Sequence, residues 1–372
     1  MGTSFSGRTG RAPVRHFYTR DSWIDGRAED QLAQVAGWSG MQSVAGFPDL
    51  HPGKFGPVGA AFLADRIYPQ LVGTDIGCGM GLWRLDLPRR KLKLDKAAKR
   101  LEVLERGTDP AQAADALAAV GLTGQIGEAG LGTIGGGNHF CELQTVEETD
   151  GTAGLRKGDL CLLVHSGSRG YGAQIFDGLE DSWKAGFDPQ SAAGNAYLAL
   201  HARAVAWARL NRRLIAETAA DALGTTVTPL CDSVHNSVAA HQGHWLHRKG
   251  AAEADRGLVP LAGSREAPSF LLALPDTVPE SLSSVSHGAG RRYDRASMHG
   301  RIRKVRSELE ALTRTRFGGR VICHDRDLLI EEAGPAYKAP EAVLADLTAF
   351  GLATPLARMV PLITYKTSGG QR

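Results

Sequence analysis

The feature that most limits what this chain can fold into is a series of glycine-rich loops, each carrying an acid, a thiol or an imidazole. In order they are FPDLHPGKFG (47–56), VGTDIGCGMG (72–81), GTIGGGNHFCEL (132–143), LVHSGSRGYG (163–172) and CDSVHNSVAAHQGHWLHRKGAA (231–252). A further stretch, SSVSHGAGRRYDR (283–295), sets His287 between serines and a small-residue turn that ends in two arginines. Glycine lets backbone approach a ligand closely and exposes N–H groups to phosphate oxygens. Asp, Cys and His are the side chains that hold borderline metals. One such loop would mean little, since a lone histidine in a polar loop is more often a hydrogen-bonded structural residue. Their recurrence along one chain points to a shared site.

Counting metal-capable side chains in these loops gives Asp75, Cys78, His139, His165 and His235. Five protein ligands exceed one tetrahedral site, and a thiolate can bridge two ions, so a two-metal centre fits better than a single structural ion. Ligand softness alone favours zinc, with manganese behind it. Two metals beside phosphate-binding loops point to phosphoryl or nucleotidyl chemistry. No GxGxxG after a strand and no GxxxxGK[ST] occurs, so a nucleotide would bind here in another way. The five cysteines are scattered without a CxxC, the pattern of reduced thiols, and Cys161 and Cys231 read as core packing.

Short apolar runs read as buried strands over 58–64, 81–87, 160–167, 269–275 and 320–324. Helices are expected over 95–107 and 109–121, both ending in glycine, and over 193–224, where alanine and leucine recur at helical spacing. Arg203, Arg209, Arg212 and Arg213 of the long helix read as its exposed face, with phosphate contact the sharper alternative. The fold class is therefore α/β, mixed α+β. Because the loops run from Asp49 almost to the C-terminus, a single catalytic domain over 1–372 is expected, with poorly ordered ends at about 1–15 and 368–372. No run of 18 apolar residues suggests a membrane span, and the N-terminus lacks an apolar signal core, so a cytoplasmic protein is expected. Net charge is only +3, which leaves nucleic-acid affinity to local basic clusters at 88–100 and 291–306.

The motifs DIGCGM, GGGNHF, HSGSRG, HN, HRKGA, SHGAGR and AYK, in this order, resemble the RtcB family of RNA ligases, from about Phe47 to Lys366. The resemblance implies an enzyme that joins an RNA 3′-phosphate or 2′,3′-cyclic phosphate to a 5′-hydroxyl, using GTP and two Mn²⁺ ions; manganese thus replaces zinc as the expected metal. It makes Cys78 the thiolate shared by both ions, with Asp75 and His139 on one and His165 and His235 on the other. His287 matches the histidine that becomes guanylylated, and Asp49 the acid that orients it. Asn138 and Asn236 match residues that hold nucleotide phosphates, and Gly288, Ala289 and Gly290 form the adjoining loop. Glu142, Ser264, Ser269, Tyr337 and Lys366 fall where the family surrounds guanine. Arg169 and Arg248 are candidate phosphate or RNA contacts, and Arg291 a partner for phosphate or for its own loop. His51, His241, His244 and His247 sit in motif loops without an assigned role. His16, His201, His299 and His324 read as ordinary surface or core residues.

The chain departs from the family's usual pattern at GSRE (263–266), where Arg265 and Glu266 stand in place of small or apolar residues. It is also short for the family, which suggests a bacterial RNA-repair branch. The resemblance leaves room for an archease-type activating partner. Two other classes use similar residues: a metal-dependent phosphoesterase, which needs no covalent histidine, and a non-catalytic GTP-binding RNA sensor, which would tolerate loss of His287.

Overall fold

The chain opens with strand β1 (Val14–His16), helix α1 (Gly26–Val35) and strands β2 (Met41–His51) and β3 (Val58–Ala64). Strand β4 (Gly79–Leu85), helices α2 (Leu94–Leu101) and α3 (Pro110–Ala119), and strands β5 (Phe140–Thr149) and β6 (Leu160–Ser166) follow. Helix α4 (Arg169–Asp177) leads into α5 (Ala192–Leu223) and then β7 (Val227–Val234), β8 (Asn236–His241) and β9 (His244–Lys249). Next come β10 (Ala251–Glu253), β11 (Leu258–Leu261), β12 (Ser269–Ala273) and β13 (Ser284–Ser286). The last part holds α6 (Arg295–Met298), α7 (Arg306–Ala311), β14 (Arg320–Ile322), α8 (Arg326–Glu331), α9 (Pro340–Ala349) and β15 (Thr354–Tyr365). This computed structural model describes residues 10–122, 130–179, 181–255, 257–275 and 278–367. Most of the segments expected to be poorly ordered, 1–9 and 368–372, lie outside the described residues. Within the rest, Val14–His16 is ordered by parallel pairing with Val44–Gly46.

The strands form a mixed α/β architecture of two large sheets and one small one. A five-stranded sheet runs β1-β2-β3-β9-β8, and a larger one runs β11-β12-β15-β5-β6-β4-β7 with β14 paired to β15. The two-stranded β10–β13 pair joins them: Ala251 and Val285 share one core cluster with Phe47 and Ala61 of the first sheet and with Leu261 and Leu272 of the second. The 32-residue α5 covers the other face of the large sheet. Its Ile215, Ala216, Ala219 and Leu223 recur at helical spacing and pack on Leu143, Leu162 and Val164. Ser191 caps its start by accepting from Gly194 N, and Gly224, at φ +74, ends it in the left-handed conformation. Among the described residues, no helix is long and apolar enough to cross a membrane.

Several expected elements are in place with small shifts. The 58–64 strand has the same bounds, the 81–87 strand spans Gly79–Leu85, and the long helix starts one residue early. Strands β2 and β7 to β9 were not anticipated. The 47–56 stretch reads as a loop from its sequence, yet its first half lies in β2, where a register shift between Gly46 and His51 accommodates Pro48. The polar, histidine-rich β8 and β9 read as loop, yet Gln242 (φ +50) and Gly243 (φ +82) make the tight turn of a hairpin that pairs His241 with His244. Arg212 is not on an exposed face: it is fully buried, whereas Arg203 and Arg213 are exposed.

Candidate metal and nucleotide site

Antiparallel register carries four of the expected metal ligands to one end of neighbouring strands. Gly79, at the start of β4, pairs with Ser166 at the end of β6 and with Val234 at the end of β7. Phe140, at the start of β5, pairs with His165. Cys78, His139, His165 and His235 therefore meet although 157 positions of chain separate the first from the last, by subtraction of their numbers. Backbone bonds lock the arrangement: His235 N donates to Cys78 O at 2.8 Å and Gly77 N to Asn236 O at 2.8 Å. Gly77 has φ +74, and a Cβ there would come within 2.8 Å of Val205 Cα in α5. Glycine is required for this loop to lie against the helix.

Cys78 Sγ lies 3.3 Å from His139 Nε2 and 3.2 Å from His165 Nε2. Asp75 Oδ2 is 2.8 Å from His139 Nε2, and His235 Nε2 is 3.3 Å from His165 Nε2. The ligand atoms of Cys78, His139 and His165 all fall within 4.8 Å of one another. His165 Nδ1 donates to Asn138 O at 3.2 Å, which turns its other nitrogen, with its lone pair, toward the cluster. Burial holds His165 and His235 well below the ordinary imidazole range, with neighbouring imidazoles adding to the effect, so both rings are neutral at pH 7. Burial and then the Asp75 carboxylate push the Cys78 thiol far up. Asp75 Oδ1 is buried without a hydrogen-bond partner. Neutral imidazole nitrogens, a thiol and a carboxylate oxygen aimed at one another form a donor set that a divalent cation would satisfy.

His287 stands beside this cluster, its ring centroid 4.4 Å from that of His235. Its Nδ1 donates to Asp49 Oδ2 at 2.7 Å, and its backbone N donates to the same oxygen at 3.2 Å. Asp49 is fully buried; burial raises its pKa, but the His287 hydrogen bond and charge outweigh this and hold it below the ordinary carboxylate range. The glycine turn after His287 packs on the same acid. Gly290 has φ +71, and a Cβ there would sit 2.3 Å from Asp49 O. Ala289 N is already used, donating to Ala262 O at 2.9 Å. The thin backbone thus serves contact with Asp49 and Ala262.

A cavity of about 460 Å³ is lined by His287, Gly288, Ala289, Gly290, Asp75, Cys78, His165 and His235. Asn138, Glu142, Asn236, Ser264, Ser269, Tyr337 and Lys366 line it as well. Asp49 and His139 are the expected site residues that do not reach its wall; both stand behind residues that do. Asn236 bridges two loops, donating to Asp75 O at 3.3 Å and accepting from Gly250 N at 2.9 Å. Lys366, following β15, donates to His139 O at 2.8 Å. Glu142 accepts from Gln144 Nε2 at 2.7 Å and from the Thr364 hydroxyl. Burial raises Glu142 to about 7, with the Thr364, Gln144 and Lys366 contacts offsetting part of the effect. Lys249, also on the wall, is lowered to about 8 by burial and donates to Gln70 O at 2.8 Å.

Sequence reasoning missed Glu332, a buried acid close to the AYK motif. It accepts from Arg291 Nη1 at 2.9 Å and from the Tyr337 hydroxyl, and it lies 3.6 Å from Lys366 Nζ. Burial opposes its ionisation, but Lys366 and Arg291 outweigh that and hold it at about 2. Arg291 is thus committed to its own surroundings. Arg248, a candidate phosphate contact, instead donates to Ser284 Oγ at 2.8 Å and Ser283 O at 2.9 Å. His247 is structural, accepting from Tyr68 N at 2.9 Å. In the GSRE segment, Arg265 is buried and donates to Leu329 O at 2.8 Å, while Glu266 accepts from Arg316 N at 3.1 Å. These two residues tie the loop to the C-terminal part of the chain.

The whole sequence also resembles proteins already known. A family model described as tRNA-splicing ligase RtcB matches residues 31–109 and 108–367. An Escherichia coli protein named RNA-splicing ligase RtcB2 is 42% identical over 363 residues, covering 95% of each chain. The RNA-splicing ligase RtcB of Mycobacterium tuberculosis is 31% identical over 365 residues, 80% of each chain. The tRNA-splicing ligase RtcB of Archaeoglobus fulgidus is 29% identical over 456 aligned positions, 95% of this chain and 94% of the relative.

Proposed function

The chain belongs to the RtcB family of RNA ligases, and we propose that it joins RNA 3′-phosphate or 2′,3′-cyclic phosphate ends to 5′-hydroxyl ends with GTP. The observation that carries this reading is the Asp49–His287 hydrogen bond beside the Cys78–His165–His235 donors. An imidazole pinned at Nδ1 by a carboxylate keeps the Nε2 lone pair for attack. His287 Nε2 would attack the α-phosphorus of GTP, forming a P–N bond and expelling pyrophosphate. The RNA 3′-phosphate would then take GMP from His287, giving an RNA-3′-pp-G end. Attack by the 5′-hydroxyl at the RNA phosphorus forms the phosphodiester and releases GMP; a cyclic phosphate first adds water to become a 3′-phosphate.

Asp75, His139 and Cys78 would hold one Mn²⁺, and Cys78, His165 and His235 the second. When bound, such ions supply positive charge to phosphate oxygens and the leaving group. Lys249 and the loop at 288–290 line the same cavity and are suited to the triphosphate. Glu142, Ser264, Ser269, Tyr337 and Lys366 would surround the guanine. We read the chain as one catalytic unit, because Asp49 comes from one large sheet and Cys78 precedes a strand of the other.

Incubation with Mn²⁺ and α-labelled GTP tests the reading. Wild-type protein is expected to carry an acid-labile, alkali-resistant label, and His287→Ala none. Absence of label on the wild type with every metal and nucleotide tried would rule out the covalent histidine, leaving a phosphoesterase or a GTP-binding sensor.

A further inference from the structure

We propose that Trp23, with Tyr293 and the arginines around it, forms a stacking platform for an unpaired nucleobase of the RNA end entering the cavity. Trp23 is 43% exposed, uncommon for so large an aromatic residue. Its position makes it more than a scattered surface residue. Arg292 lies 6.0 Å from its ring and Lys338 Nζ 5.6 Å. Arg292 and Tyr293 line the cavity that contains His287, as do Arg27 and Arg295. Tyr293 is itself flanked by guanidinium groups, Arg301 at 3.7 Å and Arg292 at 5.4 Å from its ring.

The segment carrying Trp23 is anchored. Thr19 N and the Ser22 hydroxyl both donate to Asp346 of α9, at 3.3 and 2.5 Å, and Asp25 caps α1. The exposed ring is therefore held on a fixed support, as a recognition surface requires. Lys338 links it to the chemistry, because its ammonium also donates to Pro48 O and Leu50 O on either side of Asp49.

The charge balance at this rim favours an anionic partner. Asp25 is paired with Arg27, and Asp294 is used to cap α6 through Ser297 N. Among the described residues, the guanidinium groups of Arg292 and Arg301 lie against aromatic rings and show no carboxylate partner. An exposed aromatic face flanked by arginines is a combination that binds single-stranded nucleic acid, the cations meeting phosphates and the ring stacking on a base whatever its identity. Here Trp23 presents that face, while half-buried Tyr293 holds the arginines beside it. This inference rests on the proposed ligase activity for the identity of the strand.

Binding of a 5′-labelled single-stranded RNA bearing a 3′-phosphate, measured by anisotropy, tests the platform without relying on catalysis. Trp23→Ala is expected to weaken binding roughly 5- to 100-fold, and Trp23→Phe to retain most of it. In ligation assays the loss should appear in KM for RNA, with kcat at saturating RNA and RNA-free guanylylation of His287 maintained. The penalty should vanish for ends held in a blunt duplex, whose terminal bases are stacked already. Unchanged RNA affinity in Trp23→Ala, or an equal loss for single-stranded and duplex ends, overturns the platform. Absence of guanylylation in wild type counts against the ligase reading instead, while the anisotropy series still decides the role of Trp23.

Discussion

Asp49 and His287, 238 positions apart in the chain, share a 2.7 Å hydrogen bond inside the protein. The carboxylate is fully buried yet held ionised by the imidazole, and it also accepts from the His287 backbone N. It sets both the tautomer and the angle of the ring. Replacing Asp49 by Asn keeps the shape and removes the charge, so an imidazolium developing in the proposed GMP transfer would lose its partner. Single-turnover guanylylation of Asp49→Asn is expected to be roughly 10²- to 10⁴-fold slower than wild type. A rate within threefold of wild type would show that the acid has no part in activating His287.

Cys78 touches both halves of the donor cluster, at 3.3 Å from His139 and 3.2 Å from His165. Cys78→Ala should therefore lower Mn²⁺ binding at both positions, seen by calorimetry as a fall in stoichiometry from two, while circular dichroism stays native. Burial and Asp75 keep the free thiol protonated, whereas a metal takes the thiolate. Binding must then release a proton, and Mn²⁺ affinity should rise with pH. Calorimetry in buffers of different ionisation enthalpy would report that proton; a buffer-independent enthalpy would show that Cys78 is not a ligand.

Burial brings the Glu142 carboxyl into the neutral pH range, to about 7 against an ordinary value of 4.5. As a guanine-contacting acid it would accept from the base's N–H groups only when ionised. GTP affinity should therefore fall as pH drops through about 7, and Glu142→Gln should flatten that dependence. The stability effect has the opposite sign. The folded state binds the proton more tightly than the unfolded state, so this residue lowers stability as pH rises from about 4.5 to about 7. Thermal melts of wild type and Glu142→Gln across that window should converge at low pH.

Much of the site was legible because its residues announce their chemistry locally. Cys78, His165 and His287 belong to a recurring series of glycine-rich loops whose repetition, more than any single member, points to a shared site, and the structure brings all three to one cavity. What could not be read was pairing across the chain. Nothing near Arg248 says that Ser283 and Ser284 will take its donors. Nothing in EEAGPAYK says that Glu332 will lie between Arg291 and Lys366. Strand β8 was hidden because its alternation is carried by small and polar residues, and only the Gln242–Gly243 turn marks the hairpin. Local rules identify the groups; register and long-range charge pairing decide which of them meet.

Arg212 is the clearest case of a residue whose role appears only in three dimensions. Its guanidinium is fully buried in α5 and pairs with Asp232 at 2.6 and 3.1 Å. Through Nη1 it also donates to Gly77 O at 2.9 Å and to Ser166 O at 2.8 Å, the carbonyls next to Cys78 and His165. One rigid fork thereby fixes the spacing of the two loops that carry the proposed metal ligands Cys78 and His165, while neighbouring Asn211 holds Gly132 N and Ser166 Oγ. Lysine cannot reproduce this, since a single ammonium cannot span the same carbonyls and the carboxylate in fork geometry. Arg212→Met should destabilise the fold by about 3–5 kcal/mol, because it leaves Asp232 without its buried partner. Arg212→Lys keeps the charge and is the sharper test of positioning. At a temperature where it is fully folded, its Mn²⁺ affinity is expected to drop roughly 10- to 100-fold, while nucleotide affinity measured without metal stays unchanged. Wild-type Mn²⁺ affinity in Arg212→Lys would mean that the carbonyl contacts serve folding alone.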